Sequence, residues 1–392
     1  MLTNRKFLAI FCLALLPFLY YSLRSDITGY DSYHYLNLVC GIEEGIAGEL
    51  LGTQLALSCI PCNILAIKFV MFVSYFLSLL AIVKLGELFD DRHGWLAALF
   101  LSLGIVFLRD FTQFENEIFA FPVILWATYY FYRKTTWQNQ YASLFLFAVA
   151  SQFWGASWLM FVVLALISFD TKIHDGKITF FVFKKWMVPV QALPNIAIAF
   201  HLLVKSFEEN IHILLPNLAV KENSIIYSVP SLLLLPLGMI GLGKFKRLVF
   251  PGFVFLVIAL VNPKFAFFAV PFLAIGLTQT MKMHRVLPYF FVPLAIFLAL
   301  FSPIVLLFQE PTQPMLDAID YAVELADGNN MQNNWGIGYM VLNRGGITRN
   351  ISGGNHVFSY EGIILTRKNG IPCPVLREFD GGIEGKWKVY RC

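Results

Sequence analysis

Charged residues are scarce in this sequence. Only 14% of its 392 residues are Asp, Glu, Lys or Arg, whereas soluble domains average about 25%. Because 58% of the residues are hydrophobic, this scarcity excludes an ordinary water-soluble domain. The formal net charge is only +4 and its Lys and Arg are scattered, which does not indicate nucleic acid binding.

Cysteine is scarce as well, with six in the whole chain. Cys59 and Cys62 form a lone CxxC without a second pair, which does not indicate a zinc site. Disulfides from Cys40 to Cys59 or Cys62, and from Cys373 to Cys392, are compatible with the location predicted below. The first apolar run lacks a small-residue cleavage site, so we expect a retained first helix rather than a signal peptide.

Long apolar runs dominate what remains. Runs of about 18 or more residues have the length that a helix needs to cross a bilayer. We therefore predict a mostly α-helical, polytopic membrane bundle with about eleven transmembrane helices. They are expected at residues 7–23, 64–83, 94–108, 118–132, 138–150, 156–169, 187–204, 225–243, 248–262, 265–280 and 287–308.

The fifth and sixth predicted helices depend on one choice. A single helix over 141–169 would place Lys172, Lys177, Lys184 and Lys185 outside, whereas a hairpin near 151–156 keeps them in the cytoplasm. The positive-inside rule favours the hairpin. Fifteen Lys and Arg then lie in cytoplasmic segments and five in short external loops. This predicts a multi-pass plasma membrane protein with a cytoplasmic N-terminus.

After residue 308 the composition changes to Pro, Gly, Asn and charge. We predict two domains, a transmembrane domain over 1–308 and a small soluble α/β domain over 309–392 on the extracytoplasmic side. The tail pattern indicates a short helix at 314–325. Strand-like pieces are expected at 338–342, 356–360, 362–365 and 387–390.

Four polar segments fall on the predicted external face, at residues 25–36, 109–117, 218–223 and 262–265. Glu115 and Glu117 lie at the predicted start of a helix, where acidic residues also complement the helix dipole. Their spacing lets two carboxylates approach one cation, to which Asp31 and Glu222 would add oxygens from other loops. Mn²⁺ or Mg²⁺ suits such ligands.

Cations and a histidine accompany these carboxylates. Lys264 and Arg109 either meet the phosphates of a lipid-linked substrate or extend to the lipid headgroups. His34 is either a hydrogen-bonded filler or a member of the site. The sequon at Asn350 is either an incidental match or a site of self-modification.

Together these segments resemble the catalytic subunit of oligosaccharyltransferase, including its single-subunit archaeal and bacterial forms, within the GT-C glycosyltransferases. Residues 30–36, YDSYHYL, resemble the first-loop acidic motif, and residues 114–122, FENEIFAFP, resemble the second. Residues 219–222, AVKE, resemble the fifth-loop motif that ends in Glu. Residues 264–271 resemble the segment in which that family has Arg-Phe, and Trp154 with Gly155 resembles its Trp-Gly step.

The resemblance implies a GT-C fold and a metal-dependent, inverting transfer of a glycan from a polyprenyl-phosphate-linked donor to a protein, with Asn favoured. It implies that Asp31, Glu117 and Glu222 are catalytic and that they bind the metal together with Glu115. It assigns the donor phosphates to Lys264 and Arg109, and the acceptor to Trp335 and Tyr339.

The chain also departs from the family pattern. Residues 333–339, NNWGIGY, replace the WWDYG motif that reads the acceptor, and the soluble domain is shortened. A GT-C enzyme that moves a monosaccharide from a polyprenyl monophosphate to a protein hydroxyl or a lipid is therefore one alternative. A lipid flippase or transporter is another, although transport predicts charges near the bilayer midplane, where Lys68 is the main candidate. A scaffold that has lost its activity is a third.

Overall fold

The computed structural model describes most of the chain, with short gaps. The described residues are 4–24, 26–43, 49–89, 94–133, 136–167, 170–174, 177–181, 193–210, 231–262, 265–283, 286–307, 311–334, 337–348, 361–381 and 385–392.

The described chain is mostly helical up to residue 307. Its helices are α1 (Asn4–Ser22), α2 (Tyr30–Val39), α3 (Leu51–Ser58), α4 (Ile64–Phe89), α5 (Gly94–Ser102), α6 (Ile105–Thr112), α7 (Asn116–Tyr132), α8 (Trp137–Ser151), α9 (Ser157–Ile167), α10 (Leu193–Asn210), α11 (Ser231–Leu242), α12 (Lys246–Val261), α13 (Ala266–Met283) and α14 (Leu287–Leu307). Every predicted membrane helix has a counterpart among them, in the same order.

The predicted turn between the fifth and sixth membrane helices is confirmed. Helix α8 ends at Ser151 and α9 begins at Ser157. The turn is held by α3, because the backbone N–H of Gly52 donates to the carbonyl of Gln152 and the Thr53 hydroxyl to that of Phe153.

One predicted helix, 94–108, is instead divided into α5 and α6. The break falls at Leu103 and Gly104, which are not helical. Glycine has a low helix propensity. A Cβ at Gly104 would also lie 3.2 Å from the Val270 side chain, so this position favours a residue without one.

Helix α13 lies at the centre of the bundle, with most of its side chains buried. It packs against α11, α12 and α5, while α4 packs against α7, α5 and α1. The outer face of α4 is apolar yet exposed, since Leu65 is 75% and Phe69 65% accessible. Large apolar side chains on the outer face of a helix are expected where it meets lipid.

By length and composition, two helices in the described part of the chain can cross a membrane, namely α4 and α13. Shorter apolar helices lie at Ile10–Ser22, Ile196–Lys205 and Arg247–Val261. These helices support association with a membrane. The number of eleven spans and the orientation of the chain remain predictions.

The C-terminal part contains α15 (Gln313–Ala326), α16 (Gly338–Asn343) and a five-stranded sheet. The strands of the sheet are β3 (Asn330–Asn333), β4 (Ile347–Thr348), β5 (Ile363–Thr366), β6 (Val375–Asp380) and β7 (Lys386–Arg391), in the order β4-β3-β5-β7-β6. Strand β3 pairs in parallel with β4 and β5, whereas β7 is antiparallel to β5 and β6. The apolar face of α15 packs on this sheet.

The tail predictions are partly confirmed. The helix at 314–325 corresponds to α15, and the pieces at 362–365 and 387–390 correspond to β5 and β7. The strand predicted at 338–342 is wrong, because these residues form α16. The piece at 356–360 lies outside the described residues, and the division of the chain at residue 308 remains a prediction.

A hairpin of β1 (Asp170–His174) and β2 (Lys177–Phe181) occupies a segment that we expected to be a cytoplasmic loop.

Candidate active site

The first predicted acidic segment forms a helix rather than an extended loop. Helix α2 follows Gly29, whose φ of 87° is rarely adopted by residues with a Cβ. A Cβ at Gly29 would also lie 2.8 Å from the Gln113 side chain. Glycine at this position therefore allows the start of α2 to approach the segment that leads into α7. Asp31 lies in the first turn of α2, with its side chain exposed.

Buried hydroxyls join the first acidic segment to the second. Thr28 forms a parallel bridge with Gln113, and its hydroxyl donates to the carbonyl of Thr112. The Ser32 hydroxyl donates to the carbonyl of Thr28 at 2.5 Å and accepts the backbone N–H of Phe114 at 2.7 Å. Glu115 and Glu117, which follow Phe114, are thus held beside α2.

The pKa of Tyr35 is affected by the charges of four carboxylates. Burial raises the pKa of its phenol, and the negative charges of Glu49, Glu117, Glu115 and Asp31 raise that pKa further. Three of these four carboxylates were predicted to meet at one site. Glu117 is 8% exposed, at the beginning of α7. The negative charges of these carboxylates therefore favour the neutral form of the Tyr35 phenol.

Sequence analysis missed a second part of this site, formed by Glu43 and Glu49. His34 lies between them, with Nδ1 3.0 Å from Glu43 Oε2 and Nε2 3.7 Å from Glu49 Oε1. Glu49 Oε2 also accepts from the side-chain amide of Asn116 at 3.5 Å. The signal that was available is the continuation of acidic residues beyond residue 36 on the same predicted face.

The charged forms of His34 and Glu49 stabilise each other. Burial lowers the pKa of His34, but hydrogen bonds to Glu49 and Glu43 and the charges of both outweigh it, so the pKa is raised. The hydrogen bond from His34 lowers the pKa of Glu49 against the opposing effect of burial, and Asn116 lowers it further. Both directions favour the charged forms of Glu49 and His34.

The C-terminal part reaches this site through α16. The Tyr339 ring lies 4.8 Å from the His34 ring, centroid to centroid. Burial raises the pKa of Tyr339, as do the charges of Glu43, Asp31 and Glu49. Tyr339, which was predicted to contact the acceptor, therefore lies beside His34 of the first polar segment.

Other predicted site residues cannot be located in the same way. Glu222, Lys264 and Trp335 lie outside the described residues, as does the sequon at Asn350. Arg109 belongs to α6, but its side chain is outside the described part of the structure.

The donor set suits a hard cation by its chemistry, since carboxylate oxygens are the ligands that Mg²⁺ and Mn²⁺ prefer. Asn116 Oδ1 is also buried and has no hydrogen-bond partner among the described residues. Within the described ranges, however, no three His, Cys, Asp or Glu side chains are arranged to hold a metal. The described residues therefore do not complete a metal site by themselves.

Lys68, the charge expected within a span, has a structural partner. It is 4% exposed, donates to the backbone carbonyl of Arg24, and lies 5.3 Å from the centre of the Tyr21 ring. The ammonium group thus stabilises the end of α1 near the first loop. These contacts account for the buried charge of Lys68 without a transported ion.

Two disulfides are formed, between Cys40 and Cys62 and between Cys373 and Cys392. Cys40 caps the C-terminus of α2, so the first disulfide connects the end of α2 to the start of α4. Cys12 and Cys59 are free. Disulfides persist in oxidising compartments, which agrees with the predicted external location of both segments.

No protein-family model and no curated protein sequence matches this chain. Solved structures of the oligosaccharyltransferase from Archaeoglobus fulgidus do match. One, tethered to an acceptor peptide containing the NVT sequon, is 12% identical, with a TM-score of 0.56 over 88% of this chain. A second, in complex with Zn and sulfate, is 11% identical, with a TM-score of 0.54 over 87% of this chain.

A third match is the archaeal oligosaccharyltransferase AglB of the same organism with an inhibitory peptide and a dolichol-phosphate, 12% identical with a TM-score of 0.56. This chain covers 64%, 62% and 64% of the three matched chains, so it spans slightly less than two thirds of their length. The agreement extends over most of this chain, from the helical bundle into the C-terminal part. The chain therefore shares the fold of these oligosaccharyltransferase structures.

Proposed function

We propose that this chain is a membrane glycosyltransferase that transfers a glycan from a polyprenyl-phosphate-linked donor to a protein acceptor, with inversion and with an asparagine amide favoured. The observation that carries the proposal is the junction of α2, α7 and α16. There, the charges of Asp31, Glu49, Glu115 and Glu117 all raise the pKa of Tyr35, and the Tyr339 ring lies against His34. The matched structures contain an acceptor peptide and a dolichol-phosphate, which are the two substrate classes this junction would hold.

Each predicted residue has a defined role in this proposal. Asp31 and Glu222 would accept hydrogen bonds from the acceptor amide and orient its nitrogen for attack on the sugar carbon. Lys264 and Arg109 would stabilise the departing phosphate by charge. Trp335 and Tyr339 would contact the acceptor polypeptide.

A divalent cation is part of the same proposal. Mn²⁺ or Mg²⁺ would be held by Asp31, Glu115, Glu117 and Glu222, because a complete ligand set needs residues from more than one loop. When bound, such an ion neutralises charge on the leaving phosphate. The Zn complex of one matched structure agrees with a divalent metal in this fold.

We further propose that the N-terminus lies in the cytoplasm and that the site faces the opposite side. The bundle of residues 1–308 would bind the lipid carrier, and the domain of residues 309–392 would cover the acceptor. The chain would act at the plasma membrane on a lipid-linked glycan and a peptide, without nucleic acid.

Washed membranes test the assignment of residues. Membranes containing the chain, supplied with lipid-linked donor, acceptor peptide and Mn²⁺, are expected to release glycosylated peptide. Asp31→Ala and Glu222→Ala should reduce this about 10²-fold or more, because each removes an interaction made at the reacting centre. Glu87→Ala, which removes a carboxylate that pairs with Lys84 near the other end of α4, is the matched control and should retain activity. Full activity in both site variants refutes the assignment.

One observation favours a second candidate, a GT-C transferase that moves a monosaccharide to a hydroxyl or a lipid. The side chains of Asn333 and Asn334, which stand in place of the acceptor-reading motif, are engaged within the C-terminal domain. Asn333 Oδ1 accepts from Thr348, and Asn334 Oδ1 accepts from Thr366 at 2.6 Å. Mass spectrometry of the modified product distinguishes an asparagine-linked glycan from a single sugar on oxygen.

A further inference from the structure

Asn37 is a fully buried amide between the acidic helix and the C-terminal domain. Its Nδ2 donates to the backbone carbonyl of Tyr339 at 2.9 Å, and its Oδ1 accepts from the Asn343 side chain at 3.0 Å. One side chain of α2 therefore holds both ends of α16, although these residues are separated by about three hundred positions in the sequence.

The position of Asn37 on α2 explains why it reaches Tyr339. His34 and Asn37 are three residues apart, which places them side by side on one face of the helix. That face meets α16. His34 contacts the Tyr339 ring while Asn37 holds the Tyr339 carbonyl, so both ends of this residue are fixed by α2.

A buried amide of this kind has little tolerance for change. Removing it takes one hydrogen bond from the Tyr339 carbonyl and one from the Asn343 side chain at a partly buried contact, and such losses are costly. Another polar connection nearby is made by Arg344, which lies 3.7 Å from Asp26 and 3.2 Å from Asp320. It is 30% exposed and makes no contact with Tyr339 among the hydrogen bonds and ion pairs of the described residues.

We infer that Asn37 is a positioning residue for the acceptor, acting through Tyr339. The inference rests on the proposed function, because it assumes that an acceptor polypeptide lies between α2 and α16. Asn37 fixes the distance between the Tyr339 side chain and the carboxylates on either side of His34. Loosening α16 should weaken binding of the acceptor while leaving the donor side unchanged.

The consequence for kinetics is specific. In the purified full chain, Asn37→Ala should raise KM for an acceptor peptide about tenfold or more, as expected for loss of a buried hydrogen bond. The kcat and the KM for the lipid-linked donor should stay within about twofold. Asn37→Asp is the second variant, since it keeps the size and the acceptor oxygen for Asn343 but removes the donor to Tyr339.

Two controls separate positioning from general weakening. Asn343→Ala removes the other partner of Asn37 but leaves the bond to Tyr339, and Arg344→Ala breaks the exposed connection to the first loop. Both should leave acceptor KM within about threefold of the starting value, because neither removes the contact to Tyr339.

Hydrogen exchange provides a readout that needs no substrate. In Asn37→Ala, amides of residues 338–343 should exchange at least about tenfold faster than in Arg344→Ala, because the buried contact no longer opposes local opening. Unchanged exchange in that segment overturns the inference whatever the activity. An equal rise of acceptor KM in Arg344→Ala, or a fall in kcat without a change in KM, also overturns it.

A failure of the proposed function gives a different result: the unaltered chain transfers nothing, although exchange in α16 still responds to Asn37→Ala. The inference alone fails when the unaltered chain transfers the glycan but Asn37→Ala leaves acceptor KM and exchange in α16 unchanged.

Discussion

At the scale of single residues, Ser32 joins the two acidic segments. It is fully buried, and its hydroxyl connects the carbonyl of Thr28 to the N–H of Phe114. Ser32→Ala leaves that buried N–H unpaired, so we expect a loss of roughly 1–3 kcal/mol in stability. Transfer should fall as well, since Glu115 and Glu117 follow Phe114. Chemical unfolding and a transfer assay on the same preparation measure both effects.

A matched serine provides the control for this prediction. Ser78 is also fully buried, but its hydroxyl donates only to the Ser74 carbonyl one turn earlier in α4, at 2.9 Å. Ser78→Ala should change stability by about 0.5 kcal/mol or less. Equal losses in the two variants would contradict the role assigned to Ser32.

His34 gives the site a dependence on pH. A raised pKa means that the folded protein binds the proton more tightly than the unfolded chain. The resulting stability is fully present below the ordinary histidine pKa of about 6.5 and is lost as pH rises through the raised value. We expect the free energy of unfolding to fall by about 1 kcal/mol or less over this pH window. His34→Asn should abolish this dependence on pH.

A profile of unfolding free energy against pH that stays the same in His34→Asn would show that Glu43 and Glu49 do not stabilise the imidazolium.

The sequence alone could select candidate residues whose chemistry does not depend on neighbours that the fold supplies. Asp31, Glu115 and Glu117 could be selected because carboxylates are rare in this chain and these three follow one another on one predicted face. Glu43 and Glu49 were missed because their role depends on His34 and Asn116, whose proximity is created by the fold. Asn37 carried no signal, since a buried amide cannot be distinguished from an exposed one in a sequence.

At the scale of helices, close packing of α11 on α13 is built on glycine. A Cβ at Gly241 would lie 1.8 Å from the Gly276 carbonyl oxygen, and one at Gly276 would lie 2.1 Å from that of Gly238. The Thr280 hydroxyl also donates across the interface to the Leu237 carbonyl. Small residues allow membrane helices to approach this closely.

We expect Gly276→Ala to force these two helices apart and to cost roughly 1–3 kcal/mol, as overpacking does. The fraction of folded protein after heating in detergent measures the loss. Gly243→Ala is the control, because a Cβ there lies 3.1 Å from its nearest neighbour, the Ile240 carbonyl oxygen of the preceding turn. Greater damage from Gly243→Ala would contradict the packing described for α11 and α13.

Prediction of elements followed the strength of the apolar pattern. Long apolar runs identified the bundle helices because a run of this length fits a helix and not a strand. Helix α2 was missed because its aromatic and polar residues have no simple periodicity, and its placement depends on Gly29, Ser32 and the disulfide at Cys40. Helix α16 was predicted as a strand because its short sequence fits either state, and contact with α2 decides between them.

At the scale of the whole molecule, the orientation in the membrane is open to a direct test. Cys59 is exposed and free, and it precedes α4, whereas Glu87 lies near the other end of that helix. In a Cys12→Ser background, a membrane-impermeant maleimide should label Cys59 on intact cells. Glu87→Cys in a chain that also carries Cys59→Ser should be labelled only after the membrane is opened. The reverse pattern would contradict the predicted orientation.

The overall architecture was predictable from charge bias and apolar runs, and the helical bundle with a small C-terminal sheet follows that prediction. The contact between the two parts was not predictable, because it is made by a few polar residues of α2 and α16 far apart in sequence. In the proposed function, the acceptor would bind at this contact.

The central claim is that the junction of α2, α7 and α16 transfers a sugar from a lipid carrier. The most direct measurement is the intact mass of an asparagine-containing acceptor peptide after incubation with the purified chain, Mn²⁺ and a polyprenyl-linked glycan. The account predicts a peptide heavier by one glycan, and no such product with a folded Glu117→Ala variant. An unmodified peptide in the presence of folded, unaltered chain and intact donor, or an equal yield from Glu117→Ala, would contradict it.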